Sequence, residues 1–598
     1  MCGIVALYAY NDSSANIDRT ELLQIRDHMT TRGPDGSGDW ISADGRVGFG
    51  HRRLSIIDLT ESGAQPMQSE DGRYVITFNG EIYNYKQLRA DLEKRNYRFR
   101  SNSDTEVLLH LYDLKGPDMV TALRGMYAFA IWDQKKQGVF IARDPFGIKP
   151  LYIADDGSTL RVASQVKALL AGGHIDTSPE PAGHVGFFLW GHVPEPYTLY
   201  KGIRALPAGS WLWIDRNGRR QNLYFSLSNE FRNAEQCSAS VTAADVQQAF
   251  REALLDSVRH HLIADVPVGL FLSAGLDSTA LTALASELTS SRLNTVTLGF
   301  KEFIGTENDE VPLAELVAQN YNTIHRTIRV EQNDFQADFT SLIDAMDQPT
   351  VDGVNSFFVC KAAALAGLKV AISGLGADEL FGGYSNFTEI PKVVSWCSPL
   401  NYLPGIGKGF RIVSAPILRQ FVSPKYAGIF EYGSNFEGAY LLRRGMYMPW
   451  ELPEMIDAEM VKQGWKELQT IAAIKVSIDG IKNDRFKVSA MEMNWYMRNQ
   501  LLRDVDWASM AHSLEVRVPF VDVQLLKSLA PIMKSDNKSY KLAMAKSPVQ
   551  ALPDAVLYRR KTGFSIPVKE WIMNEDKLKA ENGSRSWAKH IYSNLVPK

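Results

Sequence analysis

Cysteine is scarce in this chain: Cys2, Cys237, Cys360 and Cys397 are scattered through 598 positions. That spacing excludes a disulfide framework and a clustered zinc site, and it fits a reducing cytoplasm. Long apolar runs are missing as well, since no window approaches the roughly 18 consecutive apolar residues that a membrane-crossing helix needs. The start, Met1-Cys2-Gly3-Ile4-Val5, reaches Asp12 with neither a basic leader nor an apolar stretch of signal-peptide length. The expectation is a mature cytoplasmic chain with no membrane partner. Charge of one sign is not in excess either. A formal net charge of −3 gives no reason to expect nucleic acid or an anionic membrane surface as the main partner, and it leaves small molecules as the ligands. Internal repeats and low-complexity tracts are absent, so the chain is expected to fold throughout.

What is present is enough for more than one core. The length, with 45% hydrophobic and 22% charged residues, predicts two large domains. Up to about residue 205, short apolar or alternating runs (Gly3 to Tyr8, Tyr74 to Phe78, Ala128 to Trp132, Val139 to Ala142) are punctuated by turns and interrupted by helical patterns at Thr20 to Met29, Tyr85 to Arg95 and Thr105 to Leu114. Antiparallel sheets with helices packed on them follow from that texture. From about Val241, helices alternate with short buried strands at Val268 to Leu272, Thr295 to Phe300 and Lys369 to Ser373, the pattern of a parallel, doubly wound α/β sheet. The predicted division is therefore 1–205, a bridge at 206–240 that carries one more hairpin-like pattern, and 241–598. The polar tail after Asn574 reads as loosely ordered.

Cys2 directly follows the initiator methionine and is small enough for that methionine to be trimmed, which would place a free amine beside the thiol. An α-amine titrates at about 7.7–8.0 and could take the thiol proton itself. Attack on an amide creates an oxyanion that needs fixed donors, and Asn79 with Gly80 supplies the right kinds, although an Asn-Gly pair is also a common hairpin turn. Arg53 and Asp104 could hold the carboxylate and ammonium of glutamine. Taken together, Met1-Cys2-Gly3-Ile4, Arg32-Gly33-Pro34-Asp35, His51 to Asp58, Phe78 to Asn84, Ser103-Asp104 and Arg143 to Gly147 resemble the class II glutamine amidotransferase domain over residues 1 to about 200. The resemblance implies an N-terminal-nucleophile αββα sandwich, Cys2 as nucleophile, Asn79 and Gly80 as the oxyanion hole, and Arg53, Glu81 and Asp104 as glutamine contacts.

In the second half, Ser273-Ala274-Gly275-Leu276-Asp277-Ser278 sits at a strand-to-helix turn, where small residues and a helix N-terminus suit a phosphate. A second such loop runs from Ser373 to Tyr384. Were the two to meet at the carboxyl ends of parallel strands, Asp277 and Asp378 could hold Mg²⁺ against the pyrophosphate of ATP; read singly, each is equally a helix cap. With Gly299-Phe300, Asp309-Glu310, Ser509 to Ala511, Glu515 to Asp522 and Arg560 to Phe564, the region 240–572 resembles the synthetase domain of asparagine synthetase and its relatives, which cleave ATP to AMP and pyrophosphate. That implies ATP contacts at Leu272, Ser273, Gly275, Leu276, Asp277, Ser278, Leu298, Gly299, Ser373 and Gly374, and Lys561 reaching the adenylate. Two positions depart from the family: Ala274 replaces a glycine, and Leu375 replaces a carboxylate in the loop that meets the acceptor.

The expected activity is a glutamine-dependent carbon–nitrogen ligase using ATP and Mg²⁺. Aspartate is the default acceptor, and another carboxylate, such as a sugar uronate or a small peptide acid, is the alternative. A non-catalytic glutamine- or nucleotide-sensing relative is the rival from a different class. Leu375 cannot act as a base, so if the acceptor is aspartate a neighbour such as Asp352, Glu379 or Asp506, or the departing pyrophosphate, has to supply one; if the pocket is reshaped, Leu375 lines it for a different carboxylate. A homodimer is compatible with the resemblance.

Overall fold

The computed structural model describes residues 2–12, 14–237, 243–399, 405–418, 423–534, 539–559, 571 and 583–596. Two six-stranded antiparallel sheets form the first half. One runs in the order Arg204–Ala205, Tyr152–Asp155, Thr159–Ala163, Gly3–Ala9, Val47–Arg53, Gly36–Ile41. The other runs Gly218–Leu223, Ser210–Asp215, Gly138–Arg143, Gly125–Asp133, Tyr74–Ile82, Met67–Gln68. Ile4, Tyr8 and Phe49 of the first interleave with Val75, Ala128, Trp132 and Ile141 of the second. Helices Arg19–His28 and Val166–Gly172 cover the outer face of the first sheet, and Asp104–Lys115 that of the second. This is the expected αββα sandwich. Because each central strand is covered on both faces, Gly3–Ala9 is buried at every position instead of alternating.

The second half is built on a five-stranded parallel sheet, ordered Ile324–Val330, Asn294–Phe300, Val268–Phe271, Val370–Ile372, Glu515–Arg517. Helices such as Leu276–Leu288 and Val354–Leu365 connect its strands. The three strands read from sequence lie within a residue or two of their observed bounds. Ile324–Val330 and Glu515–Arg517 were not anticipated, one being a half-exposed edge and the other only three residues long.

Two expectations change. The hairpin Ser210–Asp215/Gly218–Leu223 is not a free bridge: it pairs Trp211 with Ala142 through to Asp215 with Gly138, so the second sheet continues past residue 205. The tail also contains structure, because helix Gly583–Leu595 buries Trp587 and Ile591 and stacks Tyr592 on Phe187 at 5.7 Å between ring centroids. An amphipathic face in a polar composition was the missed signal.

Candidate active site

Cys2 leads into strand Gly3–Ala9, which pairs Gly3 with Arg52 of the neighbouring strand. Its backbone nitrogen donates to Asn79 Oδ1 at 3.0 Å, and its thiol lies 4.0 Å from the carbonyl of Leu54. Asn79, from the middle of strand Tyr74–Ile82, is fully buried; with Oδ1 engaged, its Nδ2 has no hydrogen-bond partner among the described residues. A buried donor left unpaired costs stability unless a ligand takes it. At Gly80 the backbone has φ +155°, and a Cβ would fall 2.1 Å from the carbonyl oxygen of Met126, so only glycine fits. Burial pushes the Cys2 thiol up, which keeps it protonated at neutral pH and calls for a base.

Arg53, Glu81, Ser103 and Asp104 line one small pocket with Cys2 and Gly80. The Arg53 guanidinium is fixed by the carbonyls of Thr60 at 2.8 Å, Ile57 at 3.4 Å and Asp58. Asp104 opens helix Asp104–Lys115, whose N-cap Ser103 accepts from the Thr105 amide, and it receives the Ile82 amide at 3.0 Å. Burial pushes its carboxyl up to about 6. Glu81 is raised well above the ordinary carboxyl range, first by burial and then by the neighbouring charge of Glu515, while Arg517 at 3.4 Å opposes the shift.

Glu515 and Arg517 belong to the parallel sheet, so the pocket adjoins the second half directly. Arg517 is wholly buried, contacts Glu515 at 2.6 Å and donates to the carbonyls of His261 and Ile263. Lys149 is also buried, its ammonium has no hydrogen-bond partner among the described residues, and the charges of Glu515 and Asp506 act on it. Arg32 completes this polar seam, donating to the Cys2 carbonyl at 3.1 Å and to both oxygens of Asp506 at 2.7 and 3.1 Å. Asp506, one of the alternative bases, is therefore engaged on both oxygens by Arg32.

Across the sheet, Leu272, just past strand Val268–Phe271, donates its amide to the Val296 carbonyl, and Ser273 and Ser278 close the following turn through hydroxyls 3.0 Å apart. Asp277 lies in the first turn of helix Leu276–Leu288 and Asp378 in that of Ala377–Phe381. The two loops do meet: a Cβ on Gly374 would sit 2.9 Å from Cβ of Asp277. Both carboxylates converge on one ammonium, that of Lys541, at 2.6 Å from Asp277 and 2.5 Å from Asp378. Lys541 was missed because nothing distinguishes a single lysine in the helix Tyr540–Ala545 from a surface charge. Gly275 caps the first loop's helix, Ser373 donates its amide to Arg517, and Leu298 and Gly299 sit one strand away in Asn294–Phe300. Lys561 lies outside the described residues.

Leu375 is half-buried in the second loop and packs against the large apolar core. Nearby Glu379 accepts from Tyr384 at 2.8 Å and is pushed up by burial to about 7. The charges of Asp352, Glu379 and Glu492 all reach Tyr496, whose ring lies 3.7 Å from the Arg444 guanidinium. Asp504 is held by Thr350 and Trp507 and is pushed up to about 8 by burial, with the Asp352 charge adding to it.

Comparison with known proteins supplies the family. Residues 1–225 match the glutamine amidotransferase domain and residues 249–589 match asparagine synthase. The chain belongs to the glutamine-hydrolysing asparagine synthetase family. It is similar to asparagine synthetase [glutamine-hydrolyzing] 1 of Bacillus subtilis, at 32% identity over 586 residues covering 96% of this chain and 88% of that protein. Similarity to a putative asparagine synthetase [glutamine-hydrolyzing] of Mycobacterium tuberculosis is 33% over 601 residues, with the same coverage of both chains. Amidase chry2 of Gibberella zeae is 31% identical over 414 residues, 65% of this chain and 60% of that one. As a family member the chain is a carbon–nitrogen ligase, and the asparagine synthetase family uses glutamine and ATP.

Proposed function

We propose that this asparagine synthetase family member hydrolyses glutamine at Cys2 and passes the ammonia internally to a carboxylate activated as its acyl-adenylate, giving an amide, AMP and pyrophosphate. The convergence of Asp277 and Asp378 on Lys541 carries this reading, because it gathers charged groups suited to ATP phosphates at the carboxyl ends of adjacent parallel strands.

With Met1 removed, the nitrogen now 3.0 Å from Asn79 Oδ1 becomes an amine oriented by that contact. It takes the thiol proton as sulfur attacks the glutamine amide carbon. The oxyanion then accepts from Asn79 Nδ2 and the backbone at Gly80. Collapse expels ammonia and leaves a thioester for water to hydrolyse. Asp104 and Glu81 receive the substrate ammonium and Arg53 its carboxylate. The seam of Arg32, Lys149, Glu515 and Arg517 adjoins the path toward the second site.

There the acceptor carboxylate attacks the α-phosphorus of ATP, because hydroxide is a poor leaving group and AMP a good one. Asp277 and Asp378 present the carboxylate oxygens that a hard cation prefers and would hold Mg²⁺, which neutralises pyrophosphate charge when bound. Lys541 adds a fixed positive charge, and Lys561 is assigned to the adenylate. Glu379, with its proton affinity near neutrality, is suited to take a proton from attacking ammonia.

Aspartate is the default acceptor. A second reading, favoured by Leu375, is the same chemistry on a different carboxylate, such as a sugar uronate or a small peptide acid: an apolar residue in the acceptor loop can line a pocket for a bulkier body. Glutamine- and ATP-dependent pyrophosphate release, measured across a panel of carboxylic acids, separates the two. Aspartate alone giving product supports the first, and a non-amino-acid carboxylate giving product where aspartate does not supports the second. Release with none of them removes the ligase chemistry proposed here.

A further inference from the structure

The segment 225–228, Glu195-Pro196 and Pro207-Ala208 meet the helix Glu492–Leu502 around a cleft of about 310 Å³. That volume lies at the low end of small-molecule sites, which span roughly 300–1,000 Å³. The cleft shares no residue with the Cys2 pocket or with the two loops that carry Asp277 and Asp378. Most of its wall is apolar, with Phe225, Leu227, Ala473, Val476 and the ring of Trp495 among the lining residues. The helix that supplies Trp495 and Arg498 is a π-helix, a geometry frequent at functional sites.

Of the described residues that line the cleft, only Glu195 and Arg498 are charged. Glu195 is already taken: it accepts from Arg143 Nη2 at 2.8 Å, and the rest of that guanidinium donates to the carbonyls of Lys149, Leu206 and Gly147. Arg498 uses Nε alone, on the Phe146 carbonyl at 3.1 Å, and no described residue accepts from its Nη1 or Nη2. Two guanidiniums thus share one carboxylate. Burial pulls Arg498 below its ordinary value; the Glu195 charge opposes that pull and the Arg143 charge adds to it. A cation in such surroundings is costly until a counter-charge reaches it. The other polar groups of the wall answer one another. Trp495 Nε1 donates to Ser477 Oγ at 3.2 Å, the hydroxyls of Ser226 and Ser228 lie 2.9 Å apart, and Asn499 links the Glu195 amide to the Asn494 carbonyl at 3.2 Å each.

We propose that this cleft is a binding site for a small monocarboxylate with an apolar body, whose two oxygens accept from Nη1 and Nη2 of Arg498 while the body lies against Trp495, Phe225 and Val476. A planar guanidinium with both terminal nitrogens available matches a carboxylate bidentately. Inorganic phosphate is a poorer occupant on two counts: it leaves the apolar wall uncovered, and its higher charge meets the carboxylate of Glu195.

Fluorine NMR of the full chain with 4-fluorophenylacetate, against the neutral 4-fluorophenylacetamide of the same shape, tests this. Line broadening of the acid at or below about 10 mM is expected, with the amide about tenfold weaker or more. Arg498→Met should bring the acid down to the level of the amide. Ala473→Phe, which narrows the cleft from the partly exposed helix Thr470–Ser477, should weaken acid and amide together by about tenfold or more. Unchanged glutamine hydrolysis in both variants is the check on folding, and the acid-to-amide comparison on the unaltered chain decides even where Arg498→Met does not fold. Absence of broadening, equal broadening by acid and amide, or acid binding that Ala473→Phe leaves intact overturns the proposal. Inorganic phosphate displacing the acid at equal concentration also overturns it and makes Arg498 a general anion contact.

Discussion

Arg32 and Asp506 lie 474 positions apart in sequence and form a buried two-point ion pair, and the same guanidinium holds the carbonyl of Cys2. The position of Cys2, the proposed nucleophile, is thus tied to the second half of the chain. Removing one partner of a buried pair leaves the other uncompensated, so Arg32→Ala is expected to cost about 3–5 kcal/mol in denaturant unfolding. Arg32→Lys keeps the charge but loses the fork, and a displacement of Cys2 should lower kcat for glutamine hydrolysis by roughly 10–100-fold in a folded protein. Unchanged hydrolysis in Arg32→Lys would mean that the pair is purely structural.

Asp104 gives opposite signs for activity and stability. Its carboxyl titrates at about 6 in the folded chain, above the ordinary value of 3.8. In the proposed role its ionised form would bind glutamine and is lost as pH falls through about 6, so kcat/KM for glutamine should drop about a further tenfold per pH unit below that point, beyond the loss from protonating the α-amine. The fold, by contrast, loses stability as pH rises from 3.8 through 6, by up to about 3 kcal/mol above pH 7. Asp104→Asn should therefore bind glutamine poorly, show no inflection near pH 6, and unfold at higher denaturant than wild type at pH 8 but not at pH 4. A wild-type profile flat from pH 5 to 7 would contradict the assignment.

Lys541 is expected to act only in the ATP half. Lys541→Ala, Asp277→Asn and Asp378→Asn should each reduce acceptor-dependent pyrophosphate release by roughly 100-fold or more, while glutamine hydrolysis stays measurable. Near-normal release in all three variants would show that the phosphates bind elsewhere.

Cys2→Ala should abolish glutamine use and preserve ammonia-dependent synthesis, because the two chemistries sit in separate halves. Intact mass of the active protein should correspond to a chain beginning at Cys2. Full glutaminase activity with Met1 retained would sink the free-amine mechanism.

Leu375→Glu distinguishes the acceptors. If Leu375 marks an altered acceptor, the wild type makes asparagine poorly and the variant gains some. Robust asparagine synthesis by the wild type, abolished by Leu375→Glu, would leave aspartate as the acceptor and Glu379 as the candidate base.

Sequence alone determined the two halves, because these rest on local rules, and the candidate residues of each pocket came from the resemblance that their ordered motifs carry. Alternation and period mark the strands and helices, an Asn-Gly pair reads as a turn or an oxyanion hole, which the structure places inside strand Tyr74–Ile82, and a serine-containing turn before a helix suits a phosphate. Only the tertiary structure decided what meets what. Lys541 between Asp277 and Asp378, Arg32 on Asp506, and Glu81 beside Glu515 and Arg517 are pairings over long separations, and each partner taken singly looks like a surface charge. The same holds for the hairpin at 210–223 and the helix Gly583–Leu595, whose partners are remote strands and rings. A charge or an edge strand acquires its role from the desolvated neighbour that folding gives it, and local sequence does not encode that neighbour.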